Sequence, residues 1–162
     1  MRTDFDYIVL GLGGLGSAAT FWLSRRAGRD VLGLEQFELG HVRGESQDHS
    51  RIIRLSYHTS GYVRLAKRAY ESWYQVEADG QEPCLLRTGG LDFGPRQGAI
   101  SLDTYMDSMR AEAVPFEHLE AAEIRRRWPQ FRIGDDVHGL FQEQSGIAMA
   151  ARANAAHQRL AR

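Results

Sequence analysis

The chain has 162 residues, 43% of them hydrophobic and 25% charged, with a formal net charge of −1. This composition is typical of a globular domain with a buried core. The small net charge produces no electrostatic field that would attract nucleic acid or an anionic membrane, so neither is expected as a partner. No run approaches the ~18 apolar residues of a membrane span, no signal peptide is recognisable, and the single cysteine cannot form an internal disulfide, which together favour the cytoplasm.

The first part of the chain predicts a strand, a helix and a second strand. Phe5–Leu10 is predicted as the first strand from its apolar run Tyr7–Leu10, and as a parallel strand it is expected to be buried on both faces. Ser17–Ala27 is predicted as a helix that ends at Gly28, the position that a C-cap glycine prefers. Asp30–Leu34 is predicted as the second strand.

A glycine motif lies between the first strand and the helix. Gly11, Gly13 and Gly16 fit G-x-G-x-x-G, and Glu35 follows 19 positions after Gly16. In this context the motif predicts a dinucleotide site. The glycines allow a tight turn and a close approach of the backbone to the cofactor, and the helix N-terminus faces its diphosphate. Glu35 is expected to bind a ribose diol, and its charge would repel the 2′-phosphate of NADP. The predicted cofactor contacts in this stretch are Gly11, Gly13, Gly14, Leu15, Gly16, Glu35 and Gln36.

Short strands and helices are predicted beyond this unit. Arg51–Tyr57 fits a short strand or the start of a helix, whereas Tyr62–Ala78 has clear helical spacing of its apolar residues. Only two parallel strands are recognisable, which is typical of the front part of a longer protein. The remaining predicted elements are a strand over Leu85–Phe93 broken at Gly89-Gly90, a helix from an N-cap at Ser101 to about Glu112, a strand over Pro115–His118, a helix over Ala121–Trp128, a strand over Val137–Gln142, a turn at Ser145-Gly146 and a helix over Ala148–Arg162.

Several further motifs follow the glycine turn in a recognisable order and spacing. They are Gly40-His41-Val42-Arg43-Gly44, Ser50-Arg51-Ile52-Ile53-Arg54, Thr88-Gly89-Gly90-Leu91-Asp92-Phe93-Gly94, Arg127-Trp128-Pro129 and Ser145-Gly146. With the turn and Glu35, they resemble the N-terminal part of the monomeric sarcosine oxidase and N-methyltryptophan oxidase family, which are D-amino-acid-oxidase-like FAD-dependent amine oxidases. The resemblance covers essentially the whole chain and is most specific over Ser50–Arg54.

The resemblance implies an α/β fold with a Rossmann-like FAD-binding βαβ unit followed by the start of a mixed antiparallel substrate domain. The corresponding predicted domains are residues 1–60, 61–145 and a returning helix over 146–162. It implies FAD as the cofactor and a secondary or N-methyl amino acid such as sarcosine as the substrate. The C–N bond would be oxidised by hydride transfer to the flavin, and O2 would be reduced to H2O2.

The resemblance also implies roles for residues by position. Arg51 would lie against the flavin ring, and Arg54 would pair with the substrate carboxylate through its guanidinium fork. Family members commonly have a histidine where this chain has Gln47, and this difference leaves the substrate range open. Arg51, Arg54 and Gln47 are the candidate catalytic residues. The loop residues expected beside the flavin are Ser46, Gln47 and Ser50.

Other functions stay open from the residues alone. The chain could be a non-catalytic dinucleotide-binding fragment or a subunit of a multi-chain oxidase in which a second chain supplies the rest. It could also be an NAD-dependent dehydrogenase, because the glycine motif does not separate FAD from NAD. The 162 residues alone are expected to be inactive, and the histidine spacing predicts no metal site. The family's covalent flavin cysteine lies beyond residue 162 and is not matched by Cys84.

Overall fold

The computed structural model describes residues 2–162, which divide into two compact units. Of the described residues, the first unit comprises 2–51, Trp73–Leu86 and Ala148–Arg162, and the second comprises Ile52–Ser72 and Arg87–Ile147. The structure thus groups residues 73–86 with the N-terminal segment, whereas the domain boundaries expected from the sequence fall after residues 60 and 145. None of the helices within residues 2–162 combines the length and the apolar character needed to cross a bilayer.

Thirteen helices and strands carry the fold of the described residues, with 3-10 turns at Gly28–Asp30 and Glu45–Gln47. In chain order they are β1 (Tyr7–Leu10), α1 (Gly14–Ala27), β2 (Val31–Leu34), β3 (Arg51–Ile53), α2 (Ser60–Gly80), β4 (Leu85–Arg87), β5 (Gly90–Pro95), α3 (Leu102–Ala111), β6 (Glu117–Glu120), α4 (Ala121–Arg127), β7 (Val137–Gln142), β8 (Gly146–Ala148) and α5 (Ala150–Leu160).

The first unit is built on the βαβ arrangement that the sequence predicts. β1 pairs with β2 in parallel, with Tyr7 opposite Val31. α1 ends at Ala27, and its C-cap is Gly28, whose positive φ of 55° glycine adopts without strain. The predicted C-cap is therefore confirmed.

The two parallel strands are far more exposed than the sequence predicts. The exposed fractions of Ile8 and Leu10 are 57% and 78%, although burial on both faces was the expectation. Within residues 2–162, α1 is the only helix that packs extensively on the pair, and each strand has a single neighbour. One covered face and one partner are too few to bury a parallel strand.

The core of the first unit joins α1 to α5 and to the end of α2. Phe21, Val76 and Cys84 pack there with two alanines of α5, Ala153 and Ala156. The small alanine side chains allow α5 to lie close along α1. Burial raises the pKa of the Cys84 thiol, so this cysteine is a neutral packing residue.

The second unit is organised around an antiparallel sheet of order β5-β7-β6. β7 is its central strand, with Phe141 opposite Leu91 of β5 and opposite Glu117 of β6. A core cluster of Leu119, Ala121, Ile124 and Val137 lies beneath α4. This antiparallel sheet matches the mixed substrate-domain architecture implied by the resemblance.

The short strands differ most from the prediction. The stretch Arg51–Tyr57 is a strand over Arg51–Ile53 only, which settles the alternative left open by its composition. The sequence predicts a turn and then a helix where β8 lies, because alanine has a high helix propensity and a strand of three residues leaves little pattern. A third sheet has the order β3-β8-β4.

Candidate functional site

The glycine turn brings the N-terminus of α1 against the end of β1. Gly11 has a φ of 84°, and its amide donates to Leu34 O at 2.7 Å, which ties the turn to β2. A Cβ added at Gly16 would lie 1.8 Å from Gly11 O, so no other residue fits at this point of α1 without moving the backbone. The three-glycine spacing thus has a steric cause in this structure.

The first turn of α1 presents amides and no negative charge. The first intrahelical hydrogen bond runs from Ser17 N to Gly13 O at 2.9 Å, so the amides of Gly14, Leu15 and Gly16 precede it. No acidic residue lies in the first turn, and the N-cap is Gly13, which provides no capping side chain. An anion placed here would meet the amides of Leu15 and Gly16 and the positive end of the helix dipole.

Ser46 lies directly over this helix end. Its hydroxyl accepts a hydrogen bond from Gly14 N at 2.7 Å, and a Cβ added at Gly13 would lie 3.0 Å from the same oxygen. The loop that contains Ser46 therefore closes one side of the helix N-terminus.

Glu35 is fixed at the end of β2 by backbone amides. Its carboxylate accepts hydrogen bonds from Leu12 N at 2.7 Å, from Gln36 N at 2.8 Å and from Phe37 N at 3.3 Å. The hydrogen bond from the Leu12 amide is the largest cause that lowers the pKa of Glu35, and the one from the Phe37 amide is the second. His41 Nε2 lies 3.4 Å from Glu35 Oε1. The result is an ionised carboxylate that is held in place and still has a lone pair to offer a hydroxyl.

Helix α5 braces the turn from the other side, a contact that the sequence does not predict. Gln158 Nε2 donates to Leu12 O at 2.7 Å. Asn154 lies 2.6 Å from Ser17 Oγ and, in the amide orientation that satisfies both of its polar atoms, 3.2 Å from Gly13 O. The only signal in the sequence is two amide side chains four positions apart, on one face of an alanine-rich helix.

Arg51 projects from the end of the loop near the helix N-terminus. Its guanidinium donates to Asp48 Oδ2 at 2.7 Å and to Ser50 O at 2.8 Å, with a further contact to Glu45 O. The hydrogen bond from Arg51 lowers the pKa of Asp48, so the pair is a cation and an anion at neutral pH.

Three cavities follow one another along the turn in the first unit. The first, of about 360 Å³, is lined by Leu12 and Glu35, and the second, of about 110 Å³, by Leu12, Ser46 and Gln47. The third, of about 460 Å³, is lined by Ser46 and Arg51. Because neighbouring cavities share lining residues, the three lie side by side in a row from Glu35 past the helix end to Arg51.

The second unit contains the other candidate arginine, Arg54. Its Nη1 donates to Asp92 Oδ1 at 2.7 Å, and it lines a separate cavity of about 500 Å³. The sequence motif indicates Arg54 but not its acidic partner, which is 38 positions further along the chain. Within residues 2–162, no three His, Cys, Asp or Glu side chains lie close enough together to hold a metal ion.

A family model described as FAD dependent oxidoreductase matches residues 6–162, and the chain belongs to this family. Among curated relatives, it is 40% identical over 163 residues to monomeric sarcosine oxidase from Streptomyces avermitilis and 33% identical over 159 residues to N-methyl-L-tryptophan oxidase from Salmonella arizonae. These alignments cover 99% and 98% of this chain but only 42% of each relative. The family resemblance seen in the sequence is confirmed.

Solved structures give the same fold. A mutant of NikD, described as an unusual amino acid oxidase essential for nikkomycin biosynthesis, superposes with a TM-score of 0.86 at 25% identity, over 99% of this chain and 41% of that one. L-proline dehydrogenase from P. horikoshii shares the fold with a TM-score of 0.83 at 20% identity, over 99% of this chain and 42% of that one. The Rossmann-like, mixed α/β fold class is confirmed.

Proposed function

We propose that the chain is the FAD-binding part, with the beginning of the substrate-binding part, of an amine oxidase. Its substrate would be a secondary or N-methyl amino acid such as sarcosine, with O2 reduced to H2O2. Family membership supports an oxidoreductase that uses FAD, and the names of the curated relatives support a sarcosine-type substrate. The chain spans about two fifths of those relatives, so the activity of a whole protein is part of the proposal.

The observation that carries the proposal is the row of three adjacent cavities along the glycine turn. Its order fits an extended dinucleotide: Glu35 at a ribose, the amides of Leu15 and its neighbours at the diphosphate, and Ser46 to Arg51 at the flavin end. The helix end has no acidic residue in its first turn, so it keeps the positive potential that a diphosphate requires. Gly16 supports the same reading, since a Cβ there would break the close turn.

When bound, FAD would accept the hydride that leaves the carbon next to the substrate nitrogen, which converts the C–N bond to an imine. This chain's own residues have supporting roles. Arg51 would hold a positive charge at the flavin end, where it favours the reduced anionic cofactor. Gln47 and Ser50, on the same loop, are proposed to line that end of the row. Arg54 would orient the substrate by its carboxylate.

A direct titration tests the cofactor assignment. Purified protein is titrated with FAD, NAD⁺ and NADP⁺, and binding is followed by tryptophan or flavin fluorescence. We expect saturable FAD binding and weak binding of the other two, with NADP⁺ weakest because Glu35 repels a 2′-phosphate. A preference for NAD⁺ would favour a dehydrogenase instead.

A second measurement tests the reaction. The protein that carries this chain is supplied with sarcosine, N-methyltryptophan or pipecolate in air, and H2O2 is measured by a coupled peroxidase assay. Peroxide with one of these substrates supports the oxidase. Tight FAD binding without turnover of any secondary amino acid would favour the non-catalytic subunit of a multi-chain enzyme.

A further inference from the structure

Arg54 and Asp92 form an ion pair that is fixed in orientation but still accessible. Arg54 Nη1 donates to Asp92 Oδ1 at 2.7 Å, and the buried hydroxyl of Ser56 donates to Asp92 Oδ2 at 2.5 Å. The guanidinium carbon of Arg54 lies 5.4 Å from the centroid of the Tyr57 ring. Despite these contacts, the two charged side chains keep 32% and 25% of their surface exposed. A ligand can therefore reach both charges.

The cavity beside this pair has a volume of about 500 Å³ and lies wholly in the second unit. Arg54 and Asp92 are the only charged residues among those that line it, and the wall also includes Phe93, Ile100 and Tyr105. One cation and one anion give the lining no net charge. Such a site has no general attraction for anions, but it offers two opposite charges and an apolar surface close together.

Both members of the pair retain bonding capacity. The Asp92 contact uses one guanidinium nitrogen of Arg54, and a guanidinium carries five N–H donors. The Asp92 carboxylate has about four lone-pair sites, of which Arg54 and Ser56 use two. Each charge can therefore take a second partner, or exchange its present partner for a ligand, without being left buried and unpaired.

We propose that the Arg54–Asp92 pair recognises the two charges of a zwitterionic amino acid. Arg54 binds the carboxylate, and Asp92 binds the protonated amine. This inference rests on the proposed function, in which Arg54 binds a substrate carboxylate, and it adds Asp92 as the residue that sets selectivity. A simple carboxylate at Arg54 is repelled by Asp92 at similar range, which cancels much of its attraction, whereas a zwitterion gains an attractive contact with each side chain.

The test compares three probes that share one skeleton and differ in charge. N-methyl-L-phenylalanine carries both charges, 3-phenylpropanoate lacks the amine, and N-methyl-L-phenylalanine amide lacks the carboxylate. Binding to the wild-type protein is measured by anaerobic calorimetry at neutral pH. We expect the zwitterion to bind about tenfold more tightly than either singly charged probe. Equal affinities, or no binding of any probe, would overturn the proposal without the use of a variant.

The variant Asp92→Asn then separates selectivity from folding. It should tighten 3-phenylpropanoate and weaken N-methyl-L-phenylalanine, so that the ratio of their dissociation constants changes about tenfold. If Asp92 had only a structural role, the substitution would change the dissociation constants of both probes in the same direction, and that result would refute the assignment. The matched control is Asp107→Asn, which removes the same charge from an exposed position on α3 paired with Arg110, and it should leave the ratio unchanged.

The cofactor titration reports on a different site. FAD binding involves residues of the first unit, whereas the three probes bind in the second. Failure of FAD to bind would contradict the proposed function while the probe ratios remain measurable. Normal FAD binding with no preference for the zwitterion would contradict only the role of Asp92.

Discussion

The substitution Gly16→Ala tests the central steric feature of the site. The added Cβ would lie 1.8 Å from Gly11 O and 2.9 Å from Gly11 C, and both are backbone atoms that no side-chain rotation can move. A carbon and a carbonyl oxygen normally stay about 3.3 Å apart, so α1 and the turn must separate by roughly 1.5 Å. That shift would break the hydrogen bond from Gly14 N to Ser46 Oγ and loosen the one from Leu12 N to Glu35.

The cost follows from these contacts. Overpacking contributes about 1–3 kcal/mol, and two weakened hydrogen bonds contribute about 1 kcal/mol each. Alanine regains about 1 kcal/mol of helix propensity over glycine. The free energy of unfolding should therefore fall by about 2–4 kcal/mol, and FAD affinity should fall about tenfold or more because the diphosphate amides move.

Urea unfolding followed by circular dichroism measures the first quantity, and fluorescence titration with FAD measures the second. Gly61→Ala is the control, since a Cβ there meets nothing within 4 Å and the position lies in α2. It should stabilise the protein by about 0.5–1 kcal/mol. The reasoning fails if Gly16→Ala unfolds at the wild-type urea concentration and binds FAD with wild-type affinity.

Three further predictions concern charged groups. Glu35→Ala should raise the dissociation constant of FAD about tenfold in a quenching titration, and an unchanged value would exclude Glu35 from the site. Arg54→Lys keeps the charge but loses the guanidinium fork, so 3-phenylpropanoate should bind about fivefold more weakly by calorimetry while FAD binding stays normal; unchanged binding would show that the fork is not used. Burial lowers the pKa of His138, so the unfolded chain binds more protons and the stability of the fold falls as the pH drops below about 6.5. His138→Gln should flatten that slope in urea titrations between about pH 5 and 6.5, and a slope equal to that of wild type would contradict this origin.

Local patterns explain what the sequence predicts well. The strand, glycine turn and helix of the first unit are encoded within a few neighbouring residues, and Ser101 caps α3 as predicted, accepting a hydrogen bond from Asp103 N at 3.2 Å. β7 has the predicted bounds, Val137–Gln142. In each of these cases the residues that determine the element lie next to one another in the chain.

The contacts that the sequence does not predict join distant segments. The pairing of Arg54 with Asp92 spans 38 positions, and the contact of Gln158 with Leu12 spans 146. A lone aspartate or glutamine carries no pattern that identifies its partner, since its role depends on how the sheets and helices are placed. The exposure of Leu10 was missed for a similar reason, because an apolar strand looks the same whether one or both of its faces are covered.

The bracing of the turn by α5 has a consequence for the order in which the protein folds. The peptide groups of Leu12 are held by Glu35, 23 residues away, and by Gln158, 146 residues away. Closing the longer loop costs about 1.6 kcal/mol more chain entropy than closing the shorter one. During synthesis, the βαβ unit can form as soon as Glu35 leaves the ribosome, but the carbonyl of Leu12 stays hydrated until α5 emerges. Every segment of the second unit precedes Ala148, so that unit can complete its sheet before α5 reaches the glycine turn.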